Sequence, residues 1–365
     1  LLNFLFFDCM AQQQERADPI HPAFGLIVWG ISSPAWQIAY YGDDNARVIL
    51  STMATAALLQ STAWDIPLLK VLLANLRTSG QYGFRTNRIN MSDISSKGWQ
   101  HYYHQSPVNY APHYESYLWA CYLWAYRHTG FPLFLQRAKT AIRMTMQAYP
   151  DQWRWTNGIA QERARMLLPL AWLVRSEDTE EHRGWLRQMA NDLIALQDSC
   201  GALREELGKP EMGQYGPPIS NEEYGEKEAT LIQANGDPIC DLLYTSNFAF
   251  LGLHEAALAT QDSMYIAAEE RLAKFLCRIQ VRSEKFPELD GAWFRAFDYR
   301  QWTYWGSNAD AGWGAWSIES GWTQGWIVAV LGLRQMKTSL WDLSSSSRIK
   351  EHFTELYPLF FPPER

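Results

Sequence analysis

The sequence predicts an all-α protein built from helical hairpins set in a ring. Three observations carry that prediction. Stretches with apolar residues every three or four positions come in consecutive pairs, the first of each pair is apolar nearly throughout while the second alternates in charge, and polar or aromatic residues crowd each first helix's entrance. A helix hydrophobic all round has to be buried, and an amphipathic one has a single wet face. The contrast places first helices such as Val48 to Leu59, Phe248 to Ala259 and Ile327 to Leu333 in an inner ring. Second helices, with Arg137, Lys139 and Arg143 or Glu269, Glu270, Arg271 and Lys274, fall outside it. The mouths of the hairpins are expected to share one pocket.

Composition narrows the function. With 47% hydrophobic residues in 365, the chain can bury a large core. Its 32 basic and 39 acidic side chains give a net charge of −7 with no basic block, which argues against nucleic acid, because phosphate binding needs a clustered cationic footprint. The 18 Trp and 18 Tyr stand out. Flat rings stack on the apolar faces of pyranosides, and large helical cores also consume them. Five widely spaced cysteines form neither a disulfide framework nor a metal pattern, and Cys121 and Cys277, inside helical stretches, are expected as buried thiols. His101 and His104 lie three apart without further ligands, so no metal or other cofactor is expected. Leu1 to Phe7 is too short for a membrane span and lacks a signal peptide's basic flank. A start without Met reads as a processed or truncated polypeptide, which leaves the compartment open.

Residues 1–39 are the least readable and are expected either to complete the ring or to be the remnant of a preceding domain; residues 40–365 form the helical domain. Its first hairpin runs Asp43 to Gln60 and Asp65 to Thr78, with Asp65 as N-cap and Pro67 in the first turn. A loop of nearly thirty residues follows, from Ser79 to Ala111, rich in rings and carrying Arg85, Arg88 and Trp99. The second pair spans His113 to His128 and Pro132 to Tyr149, and the third Gly158 to Arg175 and Thr179 to Gln197, with Thr179 capping a solvated start. A Gly-, Pro- and acid-rich insertion at 199–240, which includes Glu205 and Glu206, reads as a pocket rim. The fourth pair runs Asp241 to Thr260 and Ser263 to Val281. The fifth runs Trp316 to Lys337 and Ser339 to Pro358, after a loop with Trp293, Arg295, Trp302 and Trp305.

Alternating inner and outer helices with aromatic, acidic loops at one rim, together with the stretches Tyr40-Tyr41-Gly42-Asp43-Asp44-Asn45-Ala46-Arg47 and Gly314-Ala315-Trp316-Ser317-Ile318-Glu319-Ser320-Gly321-Trp322, resemble the six-hairpin glycosidase superfamily of (α/α)6-barrel enzymes. The resemblance implies an (α/α)6-type toroid, a carbohydrate-active enzyme with an oligosaccharide or polysaccharide as partner, and a periplasmic or secreted location. Five pairs are clear where six are implied.

Cleaving a glycosidic bond takes a carboxylic acid to protonate the leaving oxygen and a carboxylate to act as base or nucleophile. Carboxylates at inner-helix mouths are the natural suppliers, and Asp44, Glu115 and Glu162 are the expected catalytic set. Asp43 is read as a cap with a substrate-binding role, and Arg47 shares a face with Asp44. Glu162 sits in a dense charge group with Arg163 and Arg165, where an ion pair Glu162–Arg165 is the competing role. Asp241, Tyr244 and Asn247 line one helical face and suit hydrogen bonding to sugar hydroxyls. His113, Arg163, Trp99, Trp305, Trp313 and Trp322 complete the substrate-binding expectation, with Glu319 either a base or a carboxylate bonded to indole N–H groups. The arginines near the mouths either neutralise local acids or recognise a uronic acid. Two competing functions stay open: a polysaccharide lyase using Tyr and His of the 99–114 loop, and a non-catalytic carbohydrate-binding toroid.

Overall fold

The computed structural model describes residues 18–28, 38–214, 230–232, 234–305 and 323–362. These divide into two compact units. The first comprises residues up to Tyr110, Tyr114–Gln147 and Leu340 onward; the second comprises Ala111–His113 and Ala148–Ser339.

In the first unit, strand β1 (Ala39–Tyr41) pairs antiparallel with β2 (Arg88–Asn90), Tyr40 opposite Ile89. The β1 strand leads straight into α1 (Gly42–Leu58). This helix buries Ala46, Ile49, Leu50 and Met53, the three- and four-residue stripe its sequence anticipates. Its partner α2 (Asp65–Thr78) is buried from Leu68 to Thr78 except at Lys70, so the wet outer face expected of second helices is missing here. The reason is the covering of α2 by later elements. Asp65 is the first helical residue and not the N-cap, which is Trp64. The long loop is partly helical, with α3 (Met91–Lys97) and α4 (Trp99–His104). Helices α5 (Pro112–Thr129) and α6 (Pro132–Ala148) follow as the second hairpin.

In the second unit, α7 (Ile159–Ser176) and α8 (Glu180–Ile194) form a hairpin whose first member is buried nearly throughout and whose second is amphipathic. The Thr179 hydroxyl accepts the His182 N–H at 3.1 Å, as the capping pattern anticipates. Helix α9 (Thr245–Thr260) packs closely on α7 and on α10 (Ser263–Ile279). It starts four residues later than expected, because Ile239–Asp241 is strand β3, paired with β4 (Ala296–Asp298), which in turn pairs with β5 (Thr303–Tyr304). Cys277 is exposed, lying off the α10 stripe of Leu272, Phe275, Leu276 and Ile279, whereas Cys121 is buried. Helix α11 is Thr323–Met336; Trp316 and the start expected there lie outside the described residues.

The chain then returns to the first unit. The expected long helix from Ser339 is broken into α12 (Leu340–Leu343), two single turns of 3-10 helix, and α13 (Phe353–Phe360). The serine run Ser344–Ser347 explains the break, since its hydroxyls compete for main-chain groups, as when Ser344 Oγ donates to Leu340 O at 2.7 Å. Helices α4 and α13 are the elements that cover α2. Among the described residues, no helix is long and apolar enough to cross a membrane.

Residues 18–28 run in turns and are held by side chains of α1 and α2. Asn45 accepts the Ile27 N–H at 3.0 Å and returns its amide to Ile27 O and Tyr41 O, each at 2.8 Å. Arg77 donates to the carbonyls of His21, Pro22 and Phe24 and lies 4.9 Å over the Phe360 ring. A buried segment without a ladder of its own needs such partners. Asn45→Ala should therefore lower stability by on the order of 3 kcal/mol, read from the urea midpoint, because it strands buried Ile27 and Tyr41 groups at once.

Candidate functional site

At the mouth of α1, Asp43 is 6% exposed and forms an ion pair with Arg47 one turn on. Asp44 is the one carboxylate of the sequence-derived set among the described residues that is not buried. Glu115, in the first turn of α5, is 1% exposed. Its Oε2 accepts the Arg85 main-chain N–H at 2.9 Å and its Oε1 accepts from Asn109 at 3.2 Å. These two mouths meet at Gly42, where an added Cβ would lie 3.0 Å from Arg85 Nη1 and 3.7 Å from Tyr114 O. Burial pushes Glu115 from its ordinary 4.5 up to about 8, against the lowering effect of its two hydrogen bonds and of Arg85. Burial also brings Arg85 down to about 10, so it stays charged at neutral pH.

The second unit builds its own polar cluster. Glu162 is fully buried, with Oε2 accepting the His113 N–H at 2.6 Å and Oε1 the Thr156 N–H at 3.2 Å. Arg165 donates to the His113 carbonyl and lies 4.4 Å over the Phe248 ring. Gln161 bonds the His113 Nδ1, and the His113 ring stands edge-on to Tyr244 with centroids 5.4 Å apart. Asp241 lies in β3 and not on the helix, so it does not share a helical face with Tyr244 and Asn247. Its Oδ1 accepts the N–H groups of Leu243 and Tyr244, and its Oδ2 meets Arg295 at 3.3 Å, both side chains fully buried. Asn247 donates to Leu243 O at 2.5 Å. Arg163 is tied to Glu206 and to the Tyr149 hydroxyl.

Two other expected residues pack in ring-rich or apolar surroundings. Trp99 packs against Tyr103, Phe361 and Arg77. Trp305 packs on a small core of Leu231, Ile232, Ile239 and Ala296. Trp313, Glu319 and Trp322 lie outside the described residues.

Glu205 was not singled out by the sequence reading. It is 1% exposed, takes the Thr245 hydroxyl at 2.6 Å and the Glu206 N–H at 3.2 Å, and crowds Gly158, whose added Cβ would lie 2.6 Å from Oε1. Burial and then the charge of Asp241 push it up to about 8. The alternation Leu203, Glu205, Leu207 was the available signal, since it puts Glu205 on the apolar side of an extended segment.

With this geometry in view, comparison with known proteins is informative at one level. No protein-family model matches the sequence, and no curated protein matches it. Solved structures do. The unsaturated glucuronyl hydrolase from Bacillus sp. GL1 superposes with a TM-score of 0.51 at 12% identity over 82% of this chain and 76% of its own. An alpha-1,6-mannanase from Salegentibacter sp. HEL1_6 does so with 0.51 at 11% identity over 78% and 70%, and a D-mannose isomerase with 0.50 at 14% over 80% and 71%. The chain has the six-hairpin (α/α)6 fold. The resemblance read from the sequence thus holds for the fold. At these identities the likeness is one of architecture, and the three neighbours perform different reactions.

Glu115 and Glu205 both hold, when folded, protons that an unfolded chain releases above its ordinary carboxyl value of 4.5. Their contribution to stability is greatest below that value, falls as pH climbs toward about 8, and is level beyond. Urea denaturation at a series of pH values should show stability declining between these limits, and Glu115→Gln should make the decline shallower.

Proposed function

We propose that the chain is a carbohydrate-active enzyme, with residues 40–365 as its catalytic domain, and that its reaction is hydrolysis of a glycosidic bond. The observation that carries this reading is the contrast at the α1 mouth between a part-exposed Asp44 and carboxylates that are otherwise buried: Asp43 at 6%, Glu115 at 1%, Glu162 at 0% and Asp241 at 0%. A carboxylate that activates water or attacks a sugar has to be reachable, and in this set that leaves Asp44.

Glu115 supplies the complementary property. A carboxyl pushed up to about 8 keeps its proton at neutral pH, which suits the acid that protonates a leaving oxygen. It belongs to the same unit and follows Tyr114, whose carbonyl faces Gly42 two residues before Asp44. The Asn109 side chain, half-buried over Oε1, has to swing aside for a glycosidic oxygen to reach that proton. Glu162, with both oxygens taken by main-chain N–H groups, is assigned to positioning His113 and the 156 turn. Fold neighbours that include a mannanase and a glucuronyl hydrolase are consistent with a glycan substrate.

A second reading has one observation behind it. His113, 9% exposed and set between the Gln161 amide and the Tyr244 ring, is an imidazole able to move a proton at neutral pH, and a D-mannose isomerase is among the neighbours. Mass spectrometry of products from a panel of oligosaccharides separates the readings. Hydrolysis adds the mass of water across the fragments, isomerisation leaves the mass unchanged, and elimination yields an unsaturated product absorbing in the ultraviolet. Asp44→Asn is expected to lower hydrolysis by about 1000-fold, on the scale of losing a group used in the transition state. Full turnover by Asp44→Asn would remove the assignment.

A further inference from the structure

Arg85 is 1% exposed, yet its Nε and Nη1 have no hydrogen-bond partner among the described residues. Its Nη2 makes a long bond of 3.3 Å to Tyr40 O. Glu115, the carboxyl beside it, turns its oxygens to the Arg85 main chain and to Asn109. Asp43, at the head of α1, is occupied by Arg47. Tyr102, Tyr122 and Glu115 are the titratable groups that act on the guanidinium, and the two phenols hold their protons at neutral pH. Burying a cation without a counter-charge is costly, so an arrangement of this kind is retained where the anion arrives from outside.

The guanidinium faces a second positive feature. Nη1 lies 3.0 Å from the place a Cβ would take on Gly42, the first residue of α1. That helix is 17 residues long, and its N-cap Tyr41 makes no side-chain cap. Helix starts attract anions through their main-chain N–H groups and dipole, here beyond a Gly42 N–H that bonds Asn87 O at 3.3 Å and with Asp43 and Asp44 in the first turn. Because residue 42 is glycine, no side chain separates the start of α1 from the guanidinium. Tyr41, Asp44, Asn87 and Tyr114 around this spot are half-buried.

We propose that Arg85 and the start of α1 form a subsite for the carboxylate of an acidic sugar, so that the substrate class is a uronic acid glycan. A guanidinium matches a singly charged group, and a planar carboxylate is what an arginine binds most selectively. Tyr41, whose ring lies 5.8 Å from the Arg88 guanidinium, and Tyr114, whose carbonyl faces Gly42, border this spot. Asp44 then lies next to a bound anion, which raises its pKa and shifts the acid limb of a pH–rate profile upward for uronides relative to neutral glycosides.

The inference rests on the α1 mouth being the site of reaction, and the test separates the two. Calorimetry with D-glucuronate and D-galacturonate against D-glucose, D-galactose and glucose 6-sulfate reads the subsite directly. The uronates should bind the wild-type chain at least 10-fold more tightly than the neutral sugars and the sulfate, with affinity falling as salt rises. Arg85→Lys and Gly42→Ala should each erode that preference at least fivefold. Gly42→Ala adds a methyl group against the flexible end of Arg85, so it reports on the subsite even where Arg85→Lys fails to fold. Equal binding of neutral and acidic sugars, absence of uronate binding at millimolar concentration, equal binding of the sulfate, or a preference that survives Gly42→Ala would each overturn the proposal. Uronate binding without turnover would leave the subsite and remove the hydrolase. Hydrolysis of neutral glycans with no uronate preference would do the reverse.

Discussion

The structure depends on how irregular backbone at the helix mouths has its buried N–H groups satisfied. Among the described residues the segments between the hairpins form no extended ladder, and the strands are two or three residues long. Main-chain donors there need acceptors from elsewhere, and side chains of the inner helices and their approaches supply them. Asn45 serves Ile27, Glu115 serves Arg85, Glu162 serves His113 and Thr156, Asp241 serves Leu243 and Tyr244, and Gln324 serves Trp293. The same device recurs in both units. A carboxylate or amide near a helix start therefore has a job before any substrate is present, which is to fix a loop that has no other means of ordering itself.

That constraint explains why density of acids at a mouth is a poor guide to chemistry. Glu162 has the sequence context of a catalytic residue, a charge entering an apolar helix, and the structure accounts for it through two main-chain hydrogen bonds. Asp241 is accounted for by two more and by Arg295. What distinguishes Asp44 is the remainder: it is half-buried, at the start of a helix whose other acid is neutralised.

The helical pairs were legible because periodic burial and local stop signals agree. Gly130 and Pro132 bracket one turn, Thr179 caps another, and α2 runs over the span its sequence indicates. Three things were not legible. The second member of the last pair breaks because serine hydroxyls compete for the backbone, a local preference masked by apolar residues on both sides. Helix α9 begins late because Asp241 takes part in a strand that pairs with residues more than fifty positions away, which no local pattern reports. Glu205 was hidden in an acid-rich insertion where most neighbours look solvated, and only its alternation with Leu203 and Leu207 set it apart. Of the many rings, Trp99 and Trp305 pack on other rings and aliphatic side chains.

A chain with a net charge of −7 that gathers acids at its helix mouths must keep them from repelling one another, and it does so in three ways. Asp43, Asp241 and Glu206 are paired with Arg47, Arg295 and Arg163. Glu115 and Glu205 are kept neutral by burial, the latter reinforced by Asp241. Glu162 is stabilised by main-chain dipoles. Arginine is the cation in each of those pairings, and Arg85 is the mouth arginine whose neighbouring carboxyl holds its proton and so leaves the guanidinium uncompensated. Were Glu115 ionised, it would cancel Arg85 and the mouth would be neutral; because burial keeps it protonated, the same two residues present a net positive charge beside Gly42. The acid that suits proton donation and the cation that suits anion binding are thus two consequences of one desolvated pocket.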